Sequence, residues 1–186
     1  LYDEIVGRVV AEVSAIQVGD ALDPQSQMGP VNSAGHYQRV LSFVESARQD
    51  GAKLLTGGER PKGAAFRRGY WLRPTVYGDV TMSMRVAREE IFGPILSILK
   101  WQTQEEAIAM ANATEYGLAS GVWTRDLKTA MTFARALQSG FVWINTTARH
   151  FVGMPFGGWK NSGLGREECL EELLSYTRNK AIHVFV

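Results

Sequence analysis

Two short segments concentrate the residue types that do chemistry. They are Glu89-Glu90-Ile91-Phe92-Gly93-Pro94, and Asn145 followed by Pro155-Phe156-Gly157-Gly158-Trp159-Lys160. An acidic pair alone reads as solvated surface, but one that leads straight into Ile-Phe-Gly-Pro asks for another explanation. The run from Gly157 to Gly165 invites a phosphate-cradle reading. It has neither P-loop nor G-x-G-x-x-G spacing and follows a loop instead of a strand, so a tight turn packed beneath a site fits better. His36, His150 and His183 lie far apart in the chain and Cys169 stands alone, which gives no metal-ligand spacing and no basis for a Ser-His-Asp arrangement. Cys169 reads as a buried, unreactive thiol on the apolar face of a helix, with Arg166 the only basic residue nearby.

Regular elements must position these residues. Ile5, Val6, Val9, Val10, Val13 and Ile16 fall at helical spacing, and that first helix is expected to close near Gly19 with no Ser, Thr, Asp or Asn cap before it. Asn32 or Ser33 caps a second helix with Tyr37, Val40, Leu41 and Val44 as its core stripe, ending at Gly51. Lys53 to Thr56 is a short strand, residues 59–69 form a mobile surface loop, and Tyr70 to Tyr77 is extended with Pro74 at an edge or bend. From Ile95 the order is regular: strand, a helix opened by the capping box Thr103-x-x-Glu106, strand 121–124, a helix capped by Asp126, and strand 141–145. Such alternation predicts an α/β fold, a mostly parallel open sheet flanked by helices with right-handed crossovers. Ligands gather beyond the C-terminal ends of parallel strands, which places Asn145 and the loop 146–156 where chemistry is expected. Residues 167–177 read as a last helix, and Ala181 to Val186 as an apolar strand in need of a partner. Residues 1–176 are read as one unit and 177–186 as an arm.

Composition narrows the partners. Twenty Lys and Arg against nineteen Asp and Glu leave a net charge of +1, so nothing electrostatic favours nucleic acid or an anionic membrane. A single cysteine excludes an internal disulfide framework and suits a reducing compartment. There is no apolar run of about eighteen residues and no signal peptide, so a soluble cytoplasmic protein without a membrane partner is expected.

An ordered series of motifs carries a resemblance over essentially the whole chain: Gly29-Pro30, Gly51-Ala52-Lys53, Pro74-Thr75-Val76, Glu89-Glu90-Ile91-Phe92-Gly93-Pro94, Tyr116-Gly117-Leu118, Asn145, Pro155-Phe156-Gly157-Gly158, Ser162-Gly163 and Gly165-Arg166-Glu167. Together they resemble the C-terminal, catalytic-domain portion of the NAD(P)-dependent aldehyde dehydrogenase family. The resemblance implies that Glu90 accepts hydrogen bonds from the nicotinamide-side ribose of NAD or NADP and that Phe92 supports the nicotinamide ring. It places His36 near the same ribose, where a surface helix histidine is the alternative. It gives Phe156 and His150 to the aldehyde tunnel. It also implies that Ala181 to Val186 joins a neighbouring subunit's sheet in a homo-oligomer. The family's nucleophilic cysteine, its general-base glutamate and its nucleotide-binding domain are expected upstream of residue 1, so the chain alone is expected to be inactive.

Arg149-His150 departs from the apolar lining found in relatives that act on simple aliphatic aldehydes. A polar or carboxylate-bearing aldehyde held by Arg149 or His150 follows, with an Arg149 pointing to solvent or to a neighbouring subunit as the alternative. Two other functions fit the same residues. One is a naturally truncated, inactive homologue serving as an oligomerisation or regulatory module. The other is a relative that makes an acyl-CoA in place of a free acid.

Overall fold

Tyr2–Ala15 forms helix α1, with Leu1 at its N-cap and no side-chain cap. The structure is a computed structural model that describes residues 1–186. The helix stops four residues earlier than its apolar spacing suggests, because Ile16 turns extended. Gly19 instead closes a loop, with its N–H on the Met28 carbonyl at 3.0 Å. No residue of α1 is buried. It is held by Tyr2, whose hydroxyl accepts the Asp79 N–H at 3.2 Å and whose ring lies under Lys100 Nζ at 4.4 Å.

Ser33 caps α2 (Ala34–Gln49) by accepting the His36 N–H, and Gly51 at φ +83° ends it. Tyr37 and Val40 of the expected stripe are buried; Leu41 and Val44 are half-buried, and Phe43 and Ala47 take the deeper places. Phe43 and Val40 are fully shielded from water, each stabilising the fold by about 2–3 kcal/mol on an area basis. They pack on a three-stranded sheet in the order β1 (Lys53–Thr56), β2 (Thr75–Val80), β3 (Ile95–Leu99). β1 runs antiparallel to β2, and β3 runs parallel to it. β2 is thus the central strand, and Pro74 sits just ahead of it, where a missing N–H interrupts no ladder. Pro94 stands in the same position before β3, its carbonyl accepting the Thr75 N–H at 2.9 Å. The 59–69 loop is better fastened than its composition suggests. It contains a 3₁₀ turn at Ala64–Phe66, Arg60 donates to the Phe66 carbonyl at 2.6 Å, and the Phe66 ring stands edge-on to Trp71 at 5.2 Å.

These elements belong to one compact unit, Leu1–Gln102; a second spans Thr103–Val186. The sequence shows no linker at that boundary. In the second unit Thr103 caps α4 (Gln104–Asn112), accepting the Glu106 N–H at 3.2 Å. Asp126 caps α5 (Leu127–Ala136), accepting the N–H groups of Lys128 and Thr129. The helix α5 connects β5 (Ala119–Val122) to β6 (Phe141–Ile144), and those two strands pair in parallel. Helices with parallel β2–β3 and β5–β6 pairs make the chain α/β, as the alternation predicts. The strands form three separate sheets, the third being β4 (Tyr116–Gly117) antiparallel to β7 (Trp159–Lys160).

The glycine-rich stretch is a turn pressed against β6. A Cβ on Gly140 would lie 1.8 Å from the Gly157 carbonyl oxygen, so Gly140 admits no side chain at that crossing. The last helix, α6 (Leu170–Ser175), is shorter than expected. Cys169 is its N-cap residue, half-buried, with Sγ 4.0 Å from a Glu171 carboxylate oxygen; the expected buried place on an apolar helix face is not found. Residues 177–186 carry no helix or strand, and Ile182, Val184 and Phe185 are exposed. A strand exists only against a partner, and this chain supplies none for that segment.

Candidate active-site walls

The first wall belongs to the unit Leu1–Gln102. After the one-turn helix α3 (Arg85–Arg88), the chain runs through Glu89 to Pro94 in alternating attachment. Glu89 is taken up by Arg85, at 3.1 Å. The Glu90 carbonyl accepts a hydrogen bond from Arg39 Nη2 at 2.5 Å, while its carboxylate remains exposed. Ile91 is buried in the core. Phe92 has φ +55° and leaves 78% of its surface exposed. A left-handed conformation at a non-glycine residue costs on the order of 1–3 kcal/mol and persists only where its surroundings dictate it.

Those surroundings are visible. His36 Nε2 lies 2.6 Å from the Phe92 carbonyl oxygen, and an oxygen that only accepts puts the proton on Nε2. The two rings meet edge to face at 6.2 Å. At the next residue a Cβ on Gly93 would come within 2.7 Å of a Val40 methyl, so any larger residue there would force the Val40 side chain to shift. The cleft beside this segment has a volume of about 630 Å³, with Met28, Pro30, Asn32, His36, Phe92 and Pro94 among its lining residues. Glu90, Phe92 and His36 are therefore brought to one place. One ring nitrogen of His36, Nε2, is engaged by the main chain. Arg39 was not signalled, because its partner is 51 positions away and only the i, i+3 spacing from His36 hints at a shared face.

The second wall lies in the unit Thr103–Val186. Phe141 and Trp143 point to the same side of β6, two residues apart. With His150 and Phe156 they form one aromatic cluster, with His150 and Phe156 rings 4.6 Å apart and Phe141 stacked on His150 at 5.9 Å. Trp143 Nε1 donates to the Arg149 carbonyl at 2.8 Å. His150 Nδ1 lies 3.0 Å from a Glu168 carboxylate oxygen. The loop is pinned further where Phe156 and Glu167 exchange N–H···O bonds of 3.0 and 2.7 Å. His150 and Phe156 thus meet directly, while the Arg149 guanidinium is exposed and enters no ion pair. Period-two alternation could have marked Phe141 and Trp143; nothing local marks Glu168. Asn145 is occupied structurally. At φ +57°, its side chain accepts from Thr124 N and donates to Thr124 O, both at 2.9 Å, tying the ends of β5 and β6.

The chain is similar to known proteins over nearly its whole length. The family model for the aldehyde dehydrogenase family matches residues 1–182. A betaine aldehyde dehydrogenase of Mesorhizobium japonicum is 45% identical over 184 residues, covering 99% of this chain and 38% of that protein. The aldehyde dehydrogenase tropH of Talaromyces stipitatus is 42% identical over 188 residues, covering 99% of this chain and 36% of that protein. The crystal structure of a Mycobacterium tuberculosis aldehyde dehydrogenase complexed with NAD+ superposes with a TM-score of 0.89 at 42% identity, over 95% of this chain and 36% of that one. The chain thus spans little more than a third of the length of these relatives. No helix is long and apolar enough to cross a membrane. With the Glu-Glu-Ile-Phe-Gly-Pro segment and the Pro-Phe-Gly-Gly loop each built into a wall of side chains, and the family match running through both, the chain belongs to the aldehyde dehydrogenase family.

Proposed function

We propose that this chain is the C-terminal catalytic-domain portion of an enzyme that oxidises an aldehyde to a carboxylic acid with NAD+ or NADP+. The observation that carries the reading is the presentation of Glu90 and Phe92: a free carboxylate and a bare aromatic face on one strained, fastened segment. Both groups fit a nicotinamide nucleoside. The Glu90 carboxylate offers two acceptor oxygens to vicinal ribose hydroxyls, and the Phe92 face supports a flat ring without competing for its charge. The bound nicotinamide supplies the acceptor for the hydride of the substrate. His36 acts at this wall by fixing the Phe92 carbonyl. The nucleophilic cysteine and the general base come from outside these residues, so the chain alone is expected to be inactive.

On the substrate side Arg149, His150 and Phe156 are the contacting residues, and the substrate class is a polar or carboxylate-bearing aldehyde. In support, the Arg149 charge is unpaired while its main chain is held by Trp143, so the guanidinium is free to meet a ligand from a fastened backbone. A carboxylate is the natural partner of such a group.

The exposed apolar residues Ile182, Val184 and Phe185 favour assembly with a second copy, in which segment 181–186 adds to a neighbouring sheet. The same feature supports the second reading, an inactive homologue retained as an oligomerisation module. The experiment is NAD(P)-linked aldehyde oxidation by protein expressed from the complete locus, beside the 186-residue chain. Activity confined to a longer product is expected. A short product that is inert yet stably oligomeric would replace the enzyme reading with the second one.

A further inference from the structure

We propose that Arg39 is a positioning residue for the cofactor segment: its guanidinium, together with His36, holds residues 90–92 in the one conformation that displays both the Glu90 carboxylate and the Phe92 ring. The inference rests on the proposed cofactor role of that segment. Its geometry is independent of that role. Residues 36, 39 and 40 share one face of α2, at i, i+3 and i+4. Each of the three meets a different residue of the segment. His36 donates to the carbonyl of Phe92, Arg39 donates to the carbonyl of Glu90, and Val40 closes on Gly93. Between the two held carbonyls, Ile91 is buried in the core.

Segment 90–93 lies outside the sheet, so these donors take the place of ladder partners. Arg39 is itself braced, its guanidinium 5.0 Å from the centre of the buried Phe43 ring, with Arg85 over the same ring at 3.9 Å. Bonding the main chain matters for the chemistry. An arginine paired with the Glu90 carboxylate would consume the acceptors that a ribose needs, whereas a bond to the carbonyl fixes the residue and leaves the carboxylate free. Removing the Arg39 donor leaves the left-handed turn at Phe92 with one hydrogen-bonded anchor instead of two, and the segment relaxes toward conformations that separate ring from carboxylate.

The test uses the complete enzyme from the full locus, with Arg39→Met, Arg39→Lys and, as a control on the same helix, Arg48→Met. Two readouts are taken: amide hydrogen exchange across residues 90–95 without cofactor, and the Kd for NAD+ and NADP+ beside the KM for aldehyde. Arg39→Met is expected to speed exchange locally and raise the cofactor Kd roughly tenfold, with aldehyde KM within about twofold of the parent. Arg39→Lys, which keeps a charged donor on a flexible stem, should recover part of both. Unchanged exchange and Kd in Arg39→Met would overturn the proposal. So would faster exchange spread over α2 and β2 that Lys does not restore, since that marks a general packing role. A parent enzyme that binds neither nucleotide would sink the cofactor reading instead, and local exchange would still decide whether Arg39 holds the segment. If Arg39→Met does not fold, Arg39→Lys against Arg48→Met carries the comparison.

Discussion

Arg149 carries an unpaired charge on a main chain that Trp143 holds by its carbonyl, and His150 beside it is committed to Glu168 and three rings. The two neighbours therefore differ in what they can give a ligand. Replacing Arg149 by Ala in the complete enzyme should raise KM for an anionic aldehyde roughly five- to tenfold and leave a neutral aldehyde of similar size nearly unaffected. Equal changes for both substrates would remove Arg149 from the substrate side. Phe92 teaches the complementary lesson at this scale. Its identity was legible from the motif, but its left-handed backbone was not, because that conformation is imposed by residues more than fifty positions away.

At the scale of elements, caps were the most readable feature. Ser33, Thr103 and Asp126 each cap the helix their side-chain chemistry suggests, since capping is settled within three or four residues. Asp126 also sets a pH dependence. The Thr129 hydroxyl first, then the Thr129 and Lys128 amides, hold its carboxyl below the usual carboxylate range. The folded chain thus binds that proton less readily than the unfolded one, so the cap stabilises fully above about pH 4 and fades as pH falls through the lowered value. Asp126→Ala should lower Tm at pH 6, and its deficit against the parent should shrink on acidification to pH 3; a deficit constant with pH would contradict this. Where elements cross, the sequence was silent. The glycine at 93 is explained only by the approach of α2, and Gly93→Ala is expected to cost about 1–3 kcal/mol by overpacking against Val40. Combining it with Val40→Ala should cost clearly less than the two separate losses added, measured by urea denaturation. Strand pairing was harder still to read. The alternation announces α/β and parallel pairs, yet the division into three sheets depends on register between distant segments, which local pattern does not encode.

At the scale of the molecule, apolar surface remains at both ends of the described chain. Ile5, Val9 and Val13 line an apolar groove along α1, and Ile182, Val184 and Phe185 are exposed near the other end. Deleting residues 181–186 should shift the sedimentation profile of the complete enzyme to a smaller species, and an unchanged profile would show that this segment does not bridge subunits. The boundary at residue 102 has a different consequence, for how the polypeptide is made. All three strands of the first sheet lie within residues 53–99, and the unit ends at Gln102. That sheet therefore needs no strand from residues 103–186 and can close once β3 has left the ribosome, before the chain is finished. At roughly 5–20 residues per second, on the order of ten seconds of translation separate the two halves. Rare codons just after residue 102 would lengthen that interval, and a sheet closed early keeps the apolar β2 strand from meeting its counterpart on a neighbouring nascent chain.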